Sequence, residues 1–261
     1  VGANSSRGLI FGSLALIALG VVLLLNNFLY FTSFSVNALL PLILVVVGAV
    51  ILIRGDLLGG SSARPFGITR GSVEAGILEI SAGAVDVKVR AMEREGRLIA
   101  GSFAHDARPQ LVVSDNRAHL LFARSATPWH AFNDWSLELA RDLPWSVYAS
   151  TSIGRVQADL TGLIISDATL ATGFGSIRLV CPQEAFQPLT VRSTLGNIQI
   201  LTPHGIHTRI IVKGPRSFST RFDPARYARG EDGAYESLEA ERNSVPVIVN
   251  VCGTFGDLFL G

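Results

Sequence analysis

Few side chains in this sequence have types and spacing suited to chemistry. His204 and His207, in "PHGIH", stand at a spacing that metal-binding histidines use. A catalytic zinc normally takes three protein ligands from histidine, cysteine or carboxylate side chains. Cys181 is the nearest third candidate, because a 21-residue period running through this region sets it beside Thr202. His204, however, falls in register with Gln183 one period earlier, where no ligand chemistry exists. The two histidines are therefore expected to be turn residues, with no metal. "TGFGSIR" holds a G-x-G without the third glycine of a dinucleotide loop, and strands rather than a helix are expected around it. No phosphate-loop, zinc-protease or nucleophile-elbow motif occurs, and His105, His119 and His130 are scattered singly. The expectation is a protein that is not an enzyme and needs no cofactor.

The elements that carry these residues repeat. Gly154, Gly175 and Gly196 are each 21 residues apart. Apolar residues precede each glycine at the same two offsets: Val147 and Ala149, Ala168 and Leu170, Leu189 and Val191. Others follow: Val156 and Ala158, Ile177 and Leu179, Ile198 and Ile200. Gly256 stands in the same phase, with Val249 and Val251 before it and Leu258 and Leu260 after it. "LEISAGAVDVKV" aligns through Leu78, Ile80, Val87 and Val89, but Val85 replaces the glycine. One unit reads as a strand, a corner at the glycine and a second strand, since alternation has period two and glycine permits the corner. One unit alone cannot bury its apolar face, so several must stack. The predicted fold of 68–261 is all-β, a β-solenoid-like stack of 21-residue repeats with Gly154, Gly175, Gly196 and Gly256 as structural corners. The last unit, "GTFGDLFLG", shows no polar cap, which leaves end-to-end stacking open. Ser217 to Ser244, charged in both signs, reads as a solvated loop, with a docking loop as the alternative. Trp129, Trp135 and Trp145 read as packing residues, Trp129 being the best candidate for a binding patch.

The N-terminal part differs in kind. Gly8 to Ile53 contains no Asp, Glu, Lys, Arg or His, a run of 46 residues. As one helix it would extend roughly 70 Å, over twice a hydrocarbon core. It is therefore expected to fold back within "NNFLYFTSFSVN" as a transmembrane hairpin over 1–54, with spans at about 8–25 and 37–53. Gly8, Gly12 and Gly20 share one helix face and are candidates for close helix packing. "GDLLGGSSARPFG", 55–67, reads as a linker. Arg7 precedes the hairpin and Arg54, Arg64 and Arg70 follow it, so both ends are expected in the cytoplasm. A net charge of +1 without a basic stripe excludes a nucleic-acid footprint. Two cysteines are too few for a disulfide framework.

"PLILVVVGAVILIRG" resembles the end of the transmembrane region of LiaI/LiaF-type cell-envelope stress proteins. "ILEISAGAVDVKV", "DWSLELARDLPWSVYASTSIGRVQADLTGL" and "TGFGSIRLVCP" are similar to the toastrack, or adhesin-like, β domains that often follow such spans. The resemblance implies a bacterial membrane protein connected with envelope-stress sensing or its regulation, with no catalytic residues to carry over; with the two spans and the flanking arginines, the expectation is a multi-pass protein with a cytoplasmic C-terminal domain, acting as a non-enzymatic sensor, regulator or scaffold. It implies as partners the lipid bilayer and a membrane histidine kinase or other membrane protein. A membrane-tethered structural protein, self-assembling through its β domain, is the alternative.

Overall fold

The computed structural model describes residues 64–93, 96–103, 110–123, 133–239 and 245–261. The expected hairpin, with Gly8, Gly12 and Gly20, lies outside the described residues, as does Trp129. Among the described residues no helix is long and apolar enough to cross a membrane. They are all-β.

Two long strands organise the domain: β2 (Ala75–Ala91) and β17 (Val247–Leu260). Between them in sequence, three units each supply two strands around a corner glycine. These are β7 (Pro144–Ile153) with β8 (Val156–Asp159), β9 (Ile164–Phe174) with β10 (Ile177–Val180), and β11 (Leu189–Leu195) with β12 (Ile198–Leu201). Every pairing among them is parallel. Val191 lies opposite Leu170 and Val147 opposite Ala168, while Ile177 lies opposite both Val156 and Ile198. Each of these pairs is a 21-residue shift. Leu78 and Ile80 meet Val147 and Ala149, and Val87 and Val89 meet Val156 and Ala158, the alignment expected for the first unit. At the far side Val249 and Val251 meet Leu189 and Val191, and Leu258 meets Ile198.

A β-solenoid-like stack was the expectation; the 21-residue units do stack in that register, and β2 and β17 bring the stack to closure. β2 pairs with both β7 and β8, and β17 with both β11 and β12. The order β2-β7-β9-β11-β17-β12-β10-β8 thus returns to β2, a closed ring of eight parallel strands. Closure follows from strand length: β2 and β17 run through the corner level without a break and serve both halves. The inward residues named here are aliphatic and almost wholly buried. Each Val, Leu or Ile among them contributes about 1.5–3 kcal/mol by leaving water, and each Ala less.

The last unit in sequence is not the last in space. β13 (Thr208–Lys213) and β14 (Phe218–Phe222) lie parallel against the outer side of β17. β15 (Tyr227–Arg229) and β16 (Tyr235–Ser237) form an antiparallel pair beside β13. Much of the stretch read as a solvated loop is therefore strand, with Tyr227 and Tyr235 buried. The opposite side is covered in the same way. β5 (Arg117–Ala123) and β6 (Asn133–Leu139) run parallel to β2. β4 (Gln110–Ser114), β3 (Arg97–Phe103) and β1 (Arg64–Thr69) then add antiparallel strands. β1 begins within the stretch assigned to the linker. Its Pro65 is compatible with a strand paired only to β3. Trp135 and Trp145 are fully buried. The Trp145 indole N–H donates to the Ala140 carbonyl at 2.8 Å.

Candidate functional site

The corner edge of the ring is built from glycine outward. Gly154, Gly175, Gly196 and Gly256 all have positive φ, +144° at Gly196. A Cβ built on Gly196 would sit 1.6 Å from the Gly175 carbonyl oxygen, and one on Gly175 would sit 1.9 Å from that of Gly154. Gly154 faces Val85 in the same way, and Gly256 faces Gly196. The corner backbones are therefore stacked directly, leaving no room for a side chain. Val85 escapes this because β2 passes the corner without positive φ and turns the side chain into the core. Amide hydrogen bonds tie the stack together: Gly154 N–H donates to Phe174 O at 2.9 Å, Gly175 to Leu195 O at 3.0 Å and Gly196 to Phe255 O at 3.0 Å.

Just inside the corner lies a row of buried hydroxyls, Thr151, Thr172 and Ser193. Thr151 Oγ1 donates within reach of Gly83 O at 2.9 Å and Val85 O at 3.1 Å, and Thr172 Oγ1 donates to Gly154 O at 3.2 Å. The Thr151 and Thr172 hydroxyls thus hold corner carbonyls. The Ser193 hydroxyl has no such partner.

On the outside, the residue before each corner glycine is apolar and exposed: Ile153 43%, Phe174 56%, Leu195 48% and Phe255 54%. Register places them side by side, Ile153 against Phe174, Phe174 against Leu195 and Leu195 against Phe255. With strands about 4.8 Å apart, the four form an apolar ladder about 14 Å long. Of the other exposed large apolar residues described, Leu111, Val112 and Val113 lie along the edge strand β4, Tyr148, Ile164 and Phe222 stand singly on β7, β9 and β14, and Phe186, Leu238 and Val245 lie outside the strands. A shallow groove runs beside the ladder, lined by Thr151, Thr172, Gly173, Arg192, Thr194 and Cys252. Arg155, Arg192, Lys213 and Arg216 are exposed around this edge. Its acids are engaged: Asp86 accepts the Arg155 amide at 2.7 Å, and Asp257 accepts from Ser219 and faces Arg221 at 3.6 Å.

The residues first considered for chemistry lie elsewhere. Cys181 is fully buried, and burial pushes its thiol up to about 12 despite a hydrogen bond with Thr202. The neighbourhood of Cys181 and Thr202 inferred from the period is real, and Thr202 also takes a hydrogen bond from the Tyr227 hydroxyl at 2.6 Å. His204 points into solvent beside Glu239, at 2.5 Å. His207 sits where β13 begins, its carbonyl accepting from Val247 N–H. Among the described residues no group of three or more His, Cys, Asp or Glu side chains is placed to hold a metal. His119 is paired to Glu79 at 3.1 Å on the outer face. The Tyr148 hydroxyl is held above its usual range by the hydrogen bond to Asp167 at 2.7 Å, with burial adding to it. The apolar ladder was the feature that reading for chemistry passed over. Its signal was present, an apolar residue at the same offset before all four glycines.

No protein-family model matches the sequence, and no curated protein matches it. The fold is similar to a solved structure described as a "putative cell adhesion protein" from Clostridium sporogenes. That match has a TM-score of 0.64 at 13% identity and covers 76% of this chain and 98% of the other. It establishes a shared all-β architecture. The LiaI/LiaF-type membrane region finds no counterpart in it.

Proposed function

We propose that this protein is a membrane-anchored, non-enzymatic interaction protein that senses or regulates cell-envelope stress, with its β domain in the cytoplasm. The observation that carries the reading is the exposed ladder Ile153–Phe174–Leu195–Phe255 on a rigid parallel frame. Contiguous exposed apolar surface marks an interaction site. The uncharged run Gly8–Ile53 supports an anchor, and the arginines flanking it support a cytoplasmic domain. The buried hydroxyls and the edge carboxylates at the ladder serve the frame, which favours binding over catalysis there. Assembly end to end through strand edges is the less favoured reading, because antiparallel strands cover the outer parallel strands β5, β6 and β13, and β14, which has no such cover among the described residues, is only five residues long.

The test is genetic. Deleting the gene in the source bacterium should change the transcriptional response to a cell-wall antibiotic, and the full chain should restore it. An unchanged response in the deletion strain overturns the reading.

A further inference from the structure

We infer that the corner ladder seats the β domain on the surface of a lipid bilayer, an inference that rests on the membrane-anchored reading above. Three independent observations converge on this edge. The first is the ladder, two aromatic and two aliphatic side chains in one row, each close to half exposed or more. Side chains of this kind enter the boundary between headgroups and acyl chains to a depth of about 5–10 Å.

The second is charge. Arg155, Arg192, Lys213 and Arg216 surround the row and are exposed. Lys213 and Arg192 both lie opposite Cys252, so two cations flank one position of the groove. Asp86 and Asp257 lie nearby and keep their charge, Asp257 facing Arg221 at 3.6 Å. Four cations against these two carboxylates leave the edge net positive, which suits anionic headgroups. A second copy of the chain would bring the same cations against these, which argues against self-association through this edge.

The third is where the chain arrives. Arg64 lies opposite Phe103 on β3, and Ser102 lies opposite Ser136 on β6. Asn133, at the start of β6, lies opposite Val85 at the corner. The first residue of β1 therefore lies near the level of Val87, about two residues past the corner level of Val85. Ten residues, 54–63, separate it in sequence from the uncharged run. Ten extended residues span up to about 35 Å, enough to cover the width of the edge.

The full chain is reconstituted into vesicles of phosphatidylcholine and phosphatidylglycerol, with p-benzoylphenylalanine replacing Phe174 in one sample and Phe255 in another. Phe186 is the control position. It is 71% exposed, and its amide bonds to Ile165, nine residues along β9 from Phe174. That places it about 30 Å from the ladder. Flotation is scored first, then lipid adducts after irradiation by mass. The expected result is flotation in all samples, with lipid adducts at 174 and 255 at least about tenfold above those at 186, given the insertion depth. Flotation with equal labelling at all three positions, or with protein–protein adducts at 174 and 255, overturns the ladder proposal alone. A chain that does not float overturns the anchored reading together with it.

Discussion

Replacing Gly196 by alanine probes the stacked corner with one methyl group. The new Cβ would lie 1.6 Å from the Gly175 carbonyl oxygen and 2.6 Å from its carbon. Neither atom belongs to a flexible side chain, so two hydrogen-bonded corners must separate. Alanine must also adopt φ near +144°. That conformation costs about 1–3 kcal/mol. Overpacking against fixed neighbours costs about 1–3 kcal/mol more. A combined loss of about 3 kcal/mol lowers the melting temperature of a domain this size by about 6–12 °C. Gly83→Ala is the internal control, because a Cβ there meets nothing within 4 Å and its φ is unexceptional. It should change stability by no more than about 0.5 kcal/mol. Differential scanning calorimetry of the two variants beside wild type makes the comparison. Equal melting temperatures for Gly196→Ala and Gly83→Ala would refute the argument that backbone contact shapes the corner.

Other outcomes follow from the same geometry. Thr151→Val leaves the carbonyls of Gly83 and Val85 without their hydroxyl, and denaturant titration should show a loss of about 1–2 kcal/mol. Ser193→Ala removes a hydroxyl with no partner and should cost less than Thr151→Val in the same titration. Thiol labelling at pH 8 should modify the half-buried Cys252 first, and Cys181 only on unfolding. The folded-state Cys181 thiol is raised from 9.0 to about 12. Its contribution to stability is therefore full below pH 9 and is lost as pH rises toward 12, which pH-dependent melting reads directly. A reporter active only outside the cytoplasm, fused after Gly261, should stay silent, and activity would reverse the proposed orientation.

The sequence made the corner units legible because the 21-residue interval and the parallel register are the same fact. Residues that pair across strands recur at equal distance along the chain. Ring closure left no such mark. β2 and β17 are separated by most of the domain, and nothing in "LEISAGAVDVKV" or "VNVCGTFGDLFLG" says that either strand serves two neighbours at once. The outer strand β14 was hidden for a different reason. "SFSTRF" carries no corner glycine, and its charged surroundings masked the burial of Phe218 against Gly253, where a Cβ would lie within 2.4 Å of the ring. The ladder was legible in principle. Ile153, Phe174, Leu195 and Phe255 continue the buried phase of their strands, so alternation reads them as core, and only the geometry of the corner shows them exposed. The histidines were judged by spacing and by the register of His204 with Gln183, and the structure places His204 beside Glu239 at the surface.

The most direct measurement replaces Ile153, Phe174, Leu195 and Phe255 together by serine in the full chain. Each is about half exposed, so each substitution forfeits about half of the 1.5–3 kcal/mol that full burial of such a side chain contributes. The variant is expressed in the deletion strain and scored for its far-UV spectrum and for restoration of the envelope-stress response. The account predicts a folded protein that fails to restore the response. A folded variant that restores it as fully as wild type would contradict the claim that the ladder is the functional surface.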